Sequence, residues 1–271
     1  MTEPWIGIAL VIATFGALLA IFSIIGPQLQ PEVLRKGLHM SMGLTTLSFP
    51  WLFESPWPVV LVAGASTCAF LVFRTRFPLF RRLARAMSAI RRVSIGEYCF
   101  VLATCLVFVL AEDDPVLYSI PMLLLTFADS AAALVGTRWG RHRYRTMGDY
   151  KSLEGSAAFF IVAFACIALA LAWFTPASNP ESLAVAALVA FAMTVLEAAL
   201  GGGFDNLLVP LGAFAAIKAT GLTRGQPEAL ESGWPVVVAA LSVAAALLVL
   251  LLAVLASSRG TGVLGGPAGR E

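Results

Sequence analysis

A polytopic, all-α transmembrane bundle is the fold class this chain predicts, and three observations predict it. Of 271 residues, 59% are hydrophobic and only 13% are charged, with a mean hydropathy of +0.87; an ordinary soluble domain carries about 25% charged residues. Apolar runs of ~17–25 residues, the length a helix needs to cross a bilayer, recur along the sequence. The basic residues gather in alternate loops, as the bias of cytoplasmic loops toward Lys and Arg requires.

Nine spans are expected, at Trp5–Ile25, Gly37–Phe53, Trp57–Phe73, Ile95–Ala111, Pro115–Thr137, Gly155–Thr175, Ser182–Leu200, Leu207–Thr220 and Trp234–Ala256. The first has no basic segment before it and no cleavage site after it, so it reads as a retained span rather than a signal peptide. The eighth is short and holds Pro210, which makes it the candidate for a re-entrant segment. Between the third and fourth, FRRLARAMSAIRRV puts Phe80, Leu83, Met87 and Ile90 on one stripe and Arg81, Arg82, Arg85 and Arg92 on other faces. Segment 74–94 is therefore read as an interfacial amphipathic helix meeting anionic headgroups. Residues 1–256 form a single membrane domain, and the Gly- and Ser-rich tail 257–271 is expected to be disordered. Cys68, Cys99, Cys105 and Cys166 lie inside apolar runs without ligand spacing, so they read as small buried side chains.

With the N-terminus outside and the C-terminus inside, the cytoplasmic loops hold all of the 18 basic residues except Lys218 and Arg224. The external turns are acidic, with Glu54, Glu112, Asp113, Asp114, Glu181, Glu228 and Glu231. No nucleic-acid partner is expected.

Ionisable groups within or beside the spans are few, and this topology brings most of them to the cytoplasmic end. Asp129 lies about eight residues, or ~12 Å, from the end of the fifth span. His39 lies just inside the second span, three residues past Lys36 of the preceding loop; Lys151 and Glu154 open the sixth, and Glu197 closes the seventh just before Asp205 and Asn206. Charge inside a membrane is expensive and marks a site. Carboxylates with few histidines and no thiolate cluster suit a hard cation, Mg2+ above all, bound together with phosphate. Lys151, the arginines and the helix amides beyond a Ser152 cap offer charge to that phosphate. Lys151 and Glu154, three apart, would share a helical face. Gly201, Gly202 and Gly203 let the backbone approach a ligand closely. Asp205 can take a cation, and Asn206 can bond a phosphate or base. Gly136 and Gly140 leave space for a ligand or a close helix. A basic, magnesium-compatible pocket walled by apolar helices points to phosphoryl or nucleotidyl transfer to a lipid.

Four stretches carry a resemblance: RKGLH at Arg35–His39, ADSAAALVGTRWG at Ala128–Gly140, KSLEGS at Lys151–Ser156, and LEAALGGGFDNLLVPLGAF at Leu196–Phe214. In that order they resemble the CTP-dependent lipid kinases, a family that includes dolichol kinase, phytol kinase and the CTP-dependent diacylglycerol kinases and is related to phosphatidate cytidylyltransferase. The resemblance implies a multi-span enzyme that moves the γ-phosphoryl group of a nucleotide, usually CTP, onto a lipid alcohol. Asp129, Lys151, Glu154, Gly155, Glu197, Asp205 and Asn206 fall on matching positions. Asp129, Lys151 and Glu154 are the expected catalytic residues. Arg35, Lys36, His39, Lys151, Ser152, Gly155, the Gly201–Gly203 turn and Asn206 are expected to meet the nucleotide, and Asp205, Glu197 and Glu154 the Mg2+. Phytol kinases tend to carry a second acidic residue before the Asp-Asn pair, where this chain has Phe204, a departure that bears on the acceptor. Two other readings use the same residues: a cytidylyltransferase making a CDP-lipid, and a transporter with the buried charges as a coupling-ion site.

Overall fold

In the computed structural model of the chain, the described residues are 3–74, 95–147, 149–174 and 180–221. The arginine-rich segment beyond Arg74, the span expected at Trp234–Ala256 and the tail lie outside them. The described chain is mostly helical, and four of its helices are long and apolar enough to cross a membrane: Pro4–Ile25, Pro115–Trp139, Leu153–Phe174 and Glu181–Ala199.

Helices α1 (Pro4–Ile25) and α2 (Pro31–Leu47) each begin on a proline, where the missing N–H would have had no partner anyway. The second span was expected to start at Gly37, with Arg35 and Lys36 in a loop. Instead Pro31 starts the helix six residues earlier, and both basic residues belong to it. Pro50 has no N–H for the Thr46 carbonyl, so α2 gives way to the single turn α3 (Phe49–Leu52), and the Tyr118 hydroxyl donates to that carbonyl at 2.8 Å. Helix α4 (Pro56–Arg74) follows, then α5 (Gly96–Ala111).

The fifth expected span is three pieces in line. Asp114 caps α6 (Pro115–Leu123) by accepting from the N–H groups of Val116 and Leu117 at 2.9 and 3.2 Å. A π-turn, Leu124–Ala128, joins it to α7 (Asp129–Trp139). This composite helix is the most buried of the four candidate spans, with Tyr118, Ile120, Met122, Leu124 and Leu125 almost fully enclosed. Around it α8 (Leu153–Phe174) packs on α7, α9 (Pro180–Ala199) on α8, and α10 (Asp205–Thr220) on α9, α5 and α6. The outer helices turn Ile6, Leu10, Ile161, Leu169, Leu188 and Phe191 outward, which suits contact with lipid.

The all-α expectation needs one correction. Between α7 and α8 runs an antiparallel hairpin, β1 (Arg143–Arg145) and β2 (Tyr150–Ser152), with Tyr144 opposite Lys151. Lys151 is therefore on a strand, and α8 starts only at Leu153. Lys151 and Glu154 do not share a helical face, because the strand sends one toward α9 and the helix start sends the other toward His142.

Candidate active site

Two charged clusters form around the lower half of the composite helix. The first is buried between α2 and α7. Lys36, 2% exposed, pairs with Asp129. One helical turn on, the Nε2–H of His39 donates to the Leu125 carbonyl oxygen at 2.9 Å and lies 3.3 Å from Asp129 Oδ2. The π-turn explains that contact. Asp129 N–H reaches back five residues to the Leu124 oxygen, so the Leu125 carbonyl, its partner in a regular helix, is open to His39. That bond assigns the proton to Nε2. Gly43 makes the approach of α2 possible, since a Cβ there would overlap the Thr126 side chain. Arg35, partly exposed, is held by Glu32 through Nε at 3.0 Å, and its charge is within electrostatic reach of both Asp129 and Asp205.

The second cluster is built from the hairpin and the ends of α9 and α10. Lys151 Nζ donates to Glu197 Oε1 at 2.7 Å, to the Glu197 carbonyl oxygen at 2.5 Å and to Asp205 Oδ2 at 3.1 Å. Burial pulls the Lys151 ammonium down, but the two carboxylates outweigh it and hold it above its ordinary value. The carbonyl contact has a local cause: α9 ends at Ala199, and its last carbonyls lack helical partners. Met147 N–H serves Ala199 in the same way at 3.4 Å. Glu197 is 4% exposed, and its Oε2 has no hydrogen-bond partner among the described residues.

The glycines divide by task. Gly202 and Gly203 have φ of +68° and +99°, the left-handed region that favours glycine, and turn the chain from α9 into α10. Gly201 is where the hairpin tip sits; a Cβ there would meet Thr146 Oγ1 at 2.7 Å and the Met147 carbonyl oxygen at 2.8 Å. Gly136, Gly140 and Gly155 form the crossing of α7 and α8, where a Cβ on Gly155 would lie 2.8 Å from the Ala132 carbonyl oxygen. The space below Asp129 is thus filled by a close helix. Ser152 caps that helix, its Oγ accepting from the Gly155 N–H at 3.1 Å.

Of the expected site residues, the structure joins Lys36, His39 and Asp129 in one cluster and Lys151, Glu197 and Asp205 in the other, with Arg35 in electrostatic reach of both. Asn206 borders the second and ties α10 to α5 by donating from Nδ2 to the Gly96 carbonyl oxygen at 3.0 Å. Glu154 stands apart, accepting from the His142 N–H at 3.3 Å and meeting its Nδ1 at 2.8 Å. His142, Gly96 and the tip residues Thr146 and Met147 were not foreseen. The alternation in RYR and YKS was the one signal for the hairpin that carries them, and three residues a side is too short to stand out from a basic loop.

Among the described residues no three His, Cys, Asp or Glu side chains gather as a metal centre. Two carboxylates with a free oxygen still fit Mg2+, which is commonly held by one or two carboxylates plus substrate phosphates. Such a set binds, orients and neutralises; it holds no thiolate or other strong nucleophile.

The chain is 32% identical over 212 residues to the phytol kinase of Synechocystis sp., covering 77% of this chain and 88% of that protein. It is 26% identical over 199 residues to CTP-dependent diacylglycerol kinase 1 of Schizosaccharomyces pombe, covering 66% of this chain and 89% of that protein. No family model matches the chain, and no solved structure does.

Proposed function

Because the chain belongs to the CTP-dependent lipid kinase family, we propose that it transfers the γ-phosphoryl group of CTP to the hydroxyl of a lipid alcohol at the cytoplasmic surface of the membrane. It is an integral membrane enzyme of lipid phosphorylation; the donor, the acceptor class and the orientation, nine spans with the N-terminus outside, are the proposal. The observation that carries it is the pair of charged clusters formed around one apolar helix, with Arg35 in electrostatic reach of both.

In this reading the Lys151 cluster is the nucleotide end and the Asp129 cluster the acceptor end. Lys151, Arg35, the amides of the Gly201–Gly203 turn and Asn206 hold the triphosphate. Glu197 and Asp205 would hold Mg2+, which when bound neutralises phosphate oxygens. Asp129, fixed by Lys36 and His39, orients the lipid hydroxyl or takes its proton as the oxygen attacks the γ-phosphorus. The bond from that phosphorus to the β–γ bridging oxygen breaks, and CDP leaves. Such transfer rests on positioning and charge stabilisation rather than covalent catalysis. Polyprenols, phytol and diacylglycerol all present a hydroxyl with an apolar tail, and Phe204, which is exposed beside Asp205, sits where phytol kinases tend to be acidic.

The test is incubation of purified protein with labelled CTP, Mg2+ and a panel of phytol, polyprenol, diacylglycerol and phosphatidate. CDP with a lipid monophosphate supports the kinase. Pyrophosphate with a CDP-lipid would replace it with cytidylyl transfer.

A further inference from the structure

An ammonium group has three N–H donors, and Lys151 uses all three on Glu197 Oε1, the Glu197 carbonyl oxygen and Asp205 Oδ2. None is left for a phosphate oxygen. The same lysine therefore cannot hold these carboxylates and a triphosphate together. The Glu197 and Asp205 carboxylates converge on this one ammonium, and among the described residues Glu197 Oε2 is buried without a hydrogen-bond partner.

We infer that Lys151 is a resident stand-in for a divalent cation: it fills the position between Glu197 and Asp205, a metal ion displaces it from the carboxylates, and the freed lysine turns to the phosphates of the nucleotide. The inference rests on the proposed reading of the site and adds an order of events to it. A divalent ion cancels the charge of both carboxylates and gives Glu197 Oε2 something to bind. The lysine it evicts gains donors at the moment phosphate arrives. Metal and nucleotide then bind cooperatively, since each removes an obstacle to the other, and this coupling needs no movement of the helices.

The competing explanation is that Lys151 permanently caps the C-terminus of α9. Capping accounts for the bond to the Glu197 carbonyl. It does not account for two carboxylates converging on the same nitrogen, nor for the unpartnered oxygen of one of them. The position of Lys151 also favours exchange. It sits on a three-residue strand of a hairpin whose tip meets α9 through a Met147 N–H bond of 3.4 Å, while the carboxylates belong to the packed ends of α9 and α10. Lys151 and Asp205 keep 15% and 16% of their side chains exposed, so water and ions reach them.

The chain has three lysines, which makes the exchange directly readable. Purified protein in detergent is acetylated with a water-soluble amine reagent, and each lysine is quantified by peptide mass spectrometry. Lys218, half exposed, is the internal reference, and Lys36, buried on Asp129, the protected one. With chelator, Lys151 is expected to react slowly. With Mg2+ it should accelerate by about tenfold or more, the factor that goes with losing one charge-assisted hydrogen bond, and with Mg2+ and CTP it should slow again. Asp205→Asn should make Lys151 fast even in chelator. Mn2+ binding, followed by electron paramagnetic resonance on the same samples, reports occupancy separately. An ion bound while Lys151 stays slow overturns the exchange and leaves the kinase reading intact. No ion bound, together with no CDP formed from labelled CTP, overturns both.

Discussion

Replacing His39 by Leu tests whether the π-turn positions Asp129. Leucine fills most of the imidazole volume, so packing against Phe100, whose ring centroid lies 4.9 Å from that of His39, is largely kept. What is lost is the Nε2–H that serves the Leu125 carbonyl at 2.9 Å and lies 3.3 Å from Asp129 Oδ2. Leu125 is 1% exposed, so water does not readily replace the donor. A net hydrogen bond contributes about 0.5–1.5 kcal/mol, and leaving a buried acceptor unpaired costs about 1–3 kcal/mol. A loss of about 2 kcal/mol corresponds to roughly 4–8 °C in Tm at this chain length. Freed on one side, Asp129 is expected to lose at least about tenfold in kcat, the equivalent of ~1.4 kcal/mol, with the KM for nucleotide little changed. His39→Gln, whose amide nitrogen tracks Nε2, should recover most of both, whereas the shorter Asn should not. Tm is measured by fluorescence-detected size exclusion after heating, and kcat by CDP release. If His39→Leu matches the wild type in both, or if Asn rescues as well as Gln, the imidazole does not position Asp129.

Asp205→Asn is expected to raise the apparent Kd for Mg–CTP by about tenfold or more, since even ~1.4 kcal/mol of lost metal attraction is a factor of ten, and to leave binding in chelator no weaker; equal losses in both conditions would move the metal elsewhere. Asn206→Ala should weaken both conditions alike. Gly155→Val forces a side chain into the Ala132 carbonyl oxygen and should destabilise by about 1–3 kcal/mol or more, seen as a lower Tm in detergent; an unchanged Tm would mean that α7 and α8 do not cross there. In a cysteine-free background, a single cysteine at Thr146 should label from the cytoplasmic side and one at Asp113 from outside, and the reverse pattern would invert the proposed orientation.

The sequence made the helices legible because each carries an apolar run bounded by Pro, Gly or charge. Pro115, Pro180 and the Ala-Leu-Gly-Gly-Gly stretch mark ends that the structure keeps within two or three residues. Charge in a nonpolar setting made the candidate residues legible too, and six of them meet in two clusters. Which residue pairs with which was not legible. Lys36 pairs with Asp129 because α2 begins at Pro31 and the π-turn sets the phase of α7, and neither is visible in hydropathy. Lys151 points at Glu197 because it lies on a strand, and two strands of three residues carry too little pattern to announce a hairpin. The Gly136 and Gly140 ambiguity, ligand or helix, was resolved by Gly155 on the opposite side, a contact across the hairpin.

The π-turn has a consequence for how α6 and α7 can vary. A helix advances about 100° per residue, so a π-turn is in effect one residue added to a regular helix, and everything after it is rotated by that angle relative to everything before. Upstream, this phase lets Tyr118 meet Thr46 on α2; downstream, it sets Asp129 against Lys36 while the Gly136 edge lies along α8. Deleting one residue between Leu124 and Ala128 would yield a more regular helix with almost the same composition and hydropathy. It would also turn Asp129 away from α2 and the glycine edge away from α8 in a single step. Substitutions along this helix can be absorbed one side chain at a time, but a change of length by one residue cannot.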